Sequence, residues 1–479
     1  MKIIFTVFLF FVFTSIAFPQ RTFKYNASIT GQASSKQNLP FWATANKFGI
    51  IPDSRGGIMQ AGVFSDFNTQ KTIQFSYGVS GAGYLTQNHK NILIDELYFN
   101  TRWKKIQLNL GMVHPEVEYN GVSSTNGNIV FSNNTRTLPG YNLKTDYIKV
   151  PFTGNVLSFK FNLADYRMID KRYVDNVQLH NKSFFINIKP WYKIDIIVGV
   201  EHWAQWAGTS PIYGKQPSSF HDYLRVFCAR EGGAGSTWSD SVNVLGNHLG
   251  REHLRINYHT EKFTLSFYHD IPFDDRSGID FDNAPDGVYA LYYGAKNKKQ
   301  WVSDFIYEFF YTKDQSGPLH DRPATPEEKA QQDPSVWHYG RVILGGNDQY
   351  FNNGEYQSGW TYYGKTIGTP FITPKEENQD GITLGVYNNR ILAHHIGVKG
   401  YIANKIPYKM MLSYTLNYGT YGASLPHTPH QFSFGLEAGV LQKEKSPFHI
   451  DLGLYGDFGK LLKNNVGISV KISRNGIIR

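Results

Sequence analysis

From Phe432 the chain alternates apolar and polar positions with a period of two. Phe432, Phe434, Leu436, Ala438 and Val440 fall on one side, and Ser433, Gly435, Glu437 and Gly439 on the other. The next segment repeats the pattern, with Phe448, Ile450, Leu452 and Leu454 set against His449, Asp451, Gly453 and Tyr455. Successive side chains of a strand point to opposite faces. A greasy face opposed by small and polar residues, repeated strand after strand, predicts an all-β transmembrane barrel.

The same reading extends back to the N-terminal part of the chain. Strands are expected at 25–32, 58–68, 72–84, 92–101, 105–113, 147–150, 156–164, 183–188, 194–200, 252–259, 263–270, 288–295, 301–310, 394–403, 408–418, 431–441, 448–458 and 466–473. Their connections alternate between short, often basic turns and longer stretches rich in Gly, Asn, Asp, Pro and aromatics. Outer-membrane barrels have short periplasmic turns and long external loops. The pattern therefore predicts about 18 antiparallel strands, both termini periplasmic and extracellular long loops. The longest interruptions are expected at 114–145, 202–250, with a short helix near 220–230, and 311–393. The final strand is expected to leave a short tail, since the chain ends Gly476-Ile477-Ile478-Arg479. A secreted β-sandwich also alternates, but Gly and Ser mixed with charge on the non-apolar face fit a lumen better. Tyr401, Tyr408, Tyr418, Phe448 and Phe458 at strand ends fit a membrane girdle.

The 479 residues are accommodated by one large barrel, and 31 Tyr, 34 Phe and 45 Gly suit it. A mean hydropathy of −0.38 excludes a bundle of membrane helices. Residues 1–20 read as a signal peptide: Lys2 opens it, 3–13 is apolar apart from Thr6, and Ser15-Ile16-Ala17 supplies small residues before cleavage after Ala17 or Gln20. An uncleaved anchor is the alternative. Residues 21–479 then form a single barrel domain. Cys228 is the only cysteine, which rules out an internal disulfide and cysteine-based zinc clusters. The net charge of +9 suits an anionic partner or, more simply, solvated turn lysines such as Lys104, Lys105, Lys298, Lys299, Lys405, Lys443 and Lys445.

No catalytic set emerges. His221-Asp222, His269-Asp270 and His320-Asp321 are adjacent pairs, as is His394-His395, and neighbours on a strand face opposite ways. No phosphate-binding glycine loop is present, and no cofactor or nucleic acid is implied. The long loops are instead rich in aromatics and amides. Sugars bind by stacking on aromatic faces combined with hydrogen bonds from amides and carboxylates. The candidate polysaccharide-binding residues are Trp203, Trp206, Arg230, Asn347, Asp348, Tyr350, Trp360 and Tyr362, and Arg251 and Lys365 are further cations able to pair with acidic sugars. The competing explanation is that these aromatics pack the loops against one another over the barrel mouth.

Three segments carry a family resemblance. The run from Tyr307-Glu308-Phe309-Phe310 to Ser316-Gly317-Pro318 resembles a segment of the capsule assembly (Wzi) family as it occurs in Bacteroidetes-type bacteria. Gly346-Asn347-Asp348-Gln349-Tyr350-Phe351-Asn352 with Ser358-Gly359-Trp360-Thr361-Tyr362 is similar to a second, and Glu201-His202-Trp203-Ala204-Gln205-Trp206 to a third. The resemblance implies a non-enzymatic outer-membrane barrel of a Gram-negative bacterium. Its partners would be capsular or extracellular polysaccharide and outer-membrane lipid, and it would aid capsule assembly or attachment. Better-known members carry a periplasmic helical portion near the N-terminus, and no counterpart is evident before Gly57. The alternative function is a porin-like diffusion channel for small solutes, with Glu437, Asp451 and Lys471 setting ion preference.

Overall fold

The computed structural model describes residues 22–86, 91–233, 235–242, 244–274, 276–318, 322–323, 325–330, 336–337, 342–343, 347–442 and 446–478. The expected signal peptide lies outside them, as do His320, Asp321, Lys443 and Lys445.

Among these residues eighteen strands pair in sequence order, each antiparallel to the next, and the last closes on the first. They are β1 (Phe23–Ser34), β2 (Gly56–Ser65), β3 (Ile73–Thr86), β4 (Ile92–Trp103), β5 (Ile106–Met112), β6 (Gly140–Thr145, continued by Ile148–Lys149), β7 (Leu157–Arg167), β8 (Gln178–Trp191) and β9 (Ile194–Trp206). The second half comprises β10 (Asn247–His259), β11 (Phe263–Phe273), β12 (Gly287–Ala295), β13 (Asp304–Tyr311), β14 (Arg390–Ile402), β15 (Ile406–Gly419), β16 (His430–Leu441), β17 (His449–Gly459) and β18 (Asn465–Ile478). The outer face carries exposed apolar side chains around the ring, among them Phe184, Val200, Leu265, Leu291, Leu436, Leu452 and Ile468. Such a belt is stable only against lipid.

Four expectations need correction. The strand expected at 147–150 is the end of a broken strand whose main part, Gly140–Thr145, lies in the stretch read as loop. Residues 201–206 continue β9, so the long connection is 207–246. The other long connection is 312–389, since β14 begins at Arg390. Residues 474–478, expected as a tail, belong to β18: Ile478 pairs with Phe23, and Gly476 with Tyr25.

A wall of this size encloses more space than its own side chains fill. Two connections at the long-loop end, 35–55 and 113–139, turn inward and fill it. The first carries the short helix α1 (Phe41–Thr44), packed against β16 and β17. Trp42 is buried and donates its indole N–H to Ser413 Oγ at 3.2 Å. Ser413 in turn lies 2.9 Å from His395 Nδ1, and His395 Nε2 lies 3.0 Å from the Val122 carbonyl. One imidazole of the wall thus links both inward segments. Gly397 is needed beside this contact, because a Cβ there would stand 2.0 Å from the Val122 oxygen.

The deepest attachment is Glu308 on β13. Its buried carboxylate accepts hydrogen bonds from Ser123 Oγ at 2.5 Å, the Ser124 amide at 2.8 Å, Ser124 Oγ at 2.5 Å and the Tyr268 hydroxyl. Nearby, Arg251 donates to Glu201 at 2.9 Å, Asp270 at 2.7 Å and the Gly127 carbonyl at 2.7 Å. Lys47 from the other inward segment pairs with Glu437, which Lys409 also approaches at 3.1 Å. Glu437, expected to tune ion passage, is thereby engaged in holding the plug. The apolar core also lies inside the barrel, joining Trp42, Tyr119, Val122, Ile129, Trp203, Tyr268, Trp360 and Phe371.

Replacing Glu308 with Ala should strip the hydrogen bonds of Ser123 and Ser124 from the plug and that of Tyr268 from the wall, and lower stability by roughly 2–4 kcal/mol. The midpoint of denaturant unfolding in detergent micelles measures it.

Candidate functional site

The long-loop face is built on the plug. Residues 347–389 lie across 113–139 through main-chain and side-chain bonds. Ser132 donates from its amide to the Ile367 carbonyl at 2.9 Å and from Oγ to the Gly368 carbonyl at 2.6 Å, and the Thr369 amide donates to the Ile129 carbonyl at 2.9 Å. Trp360 seals this contact: its side chain is 0% exposed and its indole N–H donates to the Val130 carbonyl at 2.7 Å.

The structure brings most of the expected binding residues together, but in packing roles. Trp203 points into the lumen, stacks on Phe131 at 4.6 Å, meets Trp360 edge-on at 6.3 Å and donates to Glu201 at 2.8 Å. Tyr350 is buried, and its hydroxyl accepts from Asn283 at 2.9 Å. Tyr362 is buried against Tyr363, edge to face at 4.7 Å. Asp348 is buried and accepts from Ser316 Oγ at 2.7 Å, while the neighbouring Asn347 is half-buried with a left-handed backbone. Trp206 is apart from this group, on the outer side of β9, in a cluster with Ala204, Val226 and Leu245. Arg230 alone of the eight is exposed. Arg251 is a buried strut of the plug, and Lys365 pairs with Asp53 at 2.7 Å.

Two features of the face are open to a ligand, and neither was singled out by the sequence. A groove of about 150 Å³ runs between α1, residues 364–374 and the upper ends of β15 and β16. Phe41 and Phe371 form its floor, stacked at 5.7 Å, and Thr366, Thr415, Gln431 and Ser433 line its side. Beyond its rim Tyr363 lies 38% exposed, with the Arg136 guanidinium over its ring at 4.0 Å. Across the face, Trp238 on α2 (Trp238–Val242) is 80% exposed. An apolar floor flanked by hydroxyls and amides, with exposed rings beside cations, can stack sugar faces and bond their hydroxyls. The largely apolar run from Leu39 to Ala45, with the aromatic pair Phe41-Trp42 at its centre, was the available signal.

The paired residues considered for catalysis are held in structural contacts. His269 faces outward and stacks on Tyr289 at 4.0 Å, whereas Asp270 faces the lumen and binds Arg251 and His253. His394 meets Tyr307 outside, and His395 the plug inside. His221 and Asp222 lie in a short helix of the 207–246 connection, where Asp222 caps the helix start.

Two loop acids are unusual. Burial, reinforced by nearby Glu355, raises the Asp240 carboxyl to about 7. Burial raises Asp286 likewise to about 7, although the amides of Asp314 and Gln315 bond it at 2.9 and 2.7 Å.

No protein-family model matches the chain. No curated protein matches it in sequence. Among solved structures it is similar to Wzi of Escherichia coli, an outer-membrane protein involved in group 1 capsule assembly and a carbohydrate-binding β-barrel. The identity is 13%, the TM-score 0.57, and the match covers 98% of this chain and 87% of that one. It is also similar to OccK3 of Pseudomonas aeruginosa, at 7% identity and TM-score 0.47 over 96% of each chain. OccAB2 of Acinetobacter baumannii follows at 10% and 0.48, over 96% of this chain and 98% of that one. The likeness to Wzi is one of fold: an eighteen-stranded outer-membrane β-barrel.

Asp240 sets a pH dependence. Its folded value is raised above that of an unfolded aspartate, about 3.9. Its contribution to loop packing is therefore full below pH ~4 and lost as pH rises through about 7. Exchange of the Gly232 amide, which donates to the Asp240 main-chain carbonyl at 2.7 Å, should quicken between pH 5 and pH 8 beyond the intrinsic base-catalysed rise, and Asp240→Asn should abolish the excess. Amide hydrogen exchange by mass spectrometry measures it.

Proposed function

We propose that the protein is a non-enzymatic outer-membrane barrel of a Gram-negative bacterium that binds capsular or other surface polysaccharide. Its long-loop face is directed outward, and it aids capsule assembly or attachment in the manner of the Wzi family. The observation that carries this reading is the filled lumen. Segments 35–55 and 113–139 are bonded to the wall at Glu308, His395, Arg251 and Glu437, and 347–389 is bonded to them in turn. A face fixed in this way suits recognition of an extended polymer, because little order is lost on binding.

The binding surface is the groove over Phe41 and Phe371 together with Tyr363, Arg136, Trp238 and Arg230. Trp203, Asn347, Asp348, Tyr350, Trp360 and Tyr362 contribute by shaping it from below, and Trp206 by seating the 207–246 connection on β9. The likeness to a carbohydrate-binding barrel and the three resembling segments support the same reading.

A diffusion channel is the second reading. Polar cavities of about 540, 380 and 260 Å³ remain beside the plug, lined by Lys160 and Arg255, by Lys409 and Asp451, and by Gln60 and Ser473 respectively. Joined by plug movement, they would form a narrow path.

Tyr363→Ala combined with Trp238→Ala should shift polysaccharide from cell-attached to shed several-fold, with surface expression of the barrel unchanged. Staining of the cell and medium fractions measures it. Equal retention would count against the binding surface. In planar bilayers the wild-type protein should be electrically silent, and a stable open conductance would favour the channel.

A further inference from the structure

The connection 207–246 does not only cover the mouth. Its eight-residue helix α3 (Phe220–Phe227, preceding α2 in the chain) lies against the outside of the wall. The facing of β7–β10 makes this clear. Glu201 and Trp203 contact the plug residues Asn128 and Phe131 and so face the lumen. Lys182, His202, Ala204 and Trp206 have the opposite parity, as do Asp165 and His180, which pair across β7 and β8. The helix sits on this outward set. Its Tyr223 hydroxyl donates to Asp165 at 3.1 Å, and its ring meets His180 edge-on at 5.3 Å and Trp206 at 5.5 Å. Lys182 bonds the Phe227 carbonyl, and Val226 is fully buried with Ala204 and Leu245.

The covered patch begins where the apolar belt stops. Along β7, β8 and β9 the last uncovered outward residues are Leu163, Phe184 and Val200, and the next are Asp165, Lys182 and His202. That step is two residues, about 7 Å. The helix therefore lies at the edge of the belt, where hydrocarbon gives way to headgroups.

Its free side is apolar. Phe220 is 75% exposed and Leu224 44%, one turn apart, and exposed Cys228 follows another turn on. A helix that turns Tyr223 and Val226 to the protein and Phe220 and Leu224 away has two apolar sides, which is costly in water and favourable at a lipid interface. Basic groups flank the stripe. Among the described residues Arg225 bonds the Glu231 carbonyl, at 2.7 Å, and His221 Nδ1, at 3.4 Å, and no carboxylate there pairs with its guanidinium. The start of the helix is set by a Ser219/Asp222 capping box, and its buried side holds the stripe in one orientation.

We propose that α3 is a lipid-docking element. Phe220 and Leu224 enter the leaflet at the long-loop end, and Arg225 with His221 engages the phosphate of a phosphorylated glycolipid headgroup there. The proposal rests on the outer-membrane reading but not on polysaccharide binding.

Cys228, the one cysteine, permits a test in the intact chain. A nitroxide is attached to it, and the protein is inserted into vesicles of phosphatidylcholine with or without bisphosphorylated lipid A. Heat-modifiable mobility on gels confirms that the barrel is folded and inserted, which checks the membrane reading separately. Collision with oxygen should exceed collision with a water-soluble nickel chelate several-fold, and Phe220→Ser with Leu224→Ser should reverse the ratio. Lipid A should raise the thermal midpoint of the wild type, and Arg225→Gln should lose that shift while leaving cell-attached polysaccharide unchanged. Equal access of the nickel chelate in the folded wild type, or an unchanged lipid A response in Arg225→Gln, overturns the proposal. So does efficient Cys228–Cys228 crosslinking of inserted barrels, which would place a second copy on this face.

Discussion

An eighteen-stranded wall cannot fill its own interior, and the rest of the molecule follows from how that interior is filled. Water could occupy the space, but this chain sends two loops into it and places its largest apolar cluster there. Polar strand residues inside a lumen would ordinarily be hydrated. Here Glu308, His395, Asp270 and Glu437 exchange water for hydroxyls, amides and cations of the inward segments. Each such exchange is favourable only where the groups taken out of water find partners, as they do at Glu308 and His395. Glu308, with four donors, is the point where failure would be most costly.

The eighteen strands were legible because lipid demands a continuous apolar face and period two exposes it. Legibility failed where the outer face is not lipid. At 201–206 the outward positions are His202, Ala204 and Trp206, covered by α3, so the alternation of greasy and polar residues ends although the strand does not. The broken strand around Asp146 failed for a second reason, since it pairs in two short pieces with the same neighbour. The plug was not legible at all. Period two says which face a strand residue takes, and it carries no information about loops that return into the lumen.

The same blindness explains the candidate site. Aromatics and amides in long loops serve two purposes, and composition does not separate them. Trp360 and Tyr350 stand in a dry interior with their polar atoms bonded to the protein. Tyr363 and Trp238 present ring faces to the outside. Trp360→Ala would remove a fully buried indole at a cost of roughly 3–5 kcal/mol, so loss of function in that variant would report a collapsed face and not a lost ligand contact.

The division of labour between inner and outer loop contacts bears on how a barrel can hold a polymer. Residues 347–389 are tied to the plug, 207–246 is tied to 347–389 through Tyr356 with the Ala207 carbonyl and Thr237 with Glu355, and the outer side of 207–246 is tied to the wall through Tyr223, Val226 and Lys182. A loop fixed on two sides transmits pull from a bound chain into the strands, where many parallel hydrogen bonds share it. Asp240 and Asp286, both raised to about 7 by burial, sit at loop contacts, Asp240 beside Gly246 in 207–246 and Asp286 against the amides of Asp314 and Gln315. Their deprotonation weakens loop packing without touching the wall. The wall is thus expected to keep its shape across neutral pH while the packing of these loops on one another varies.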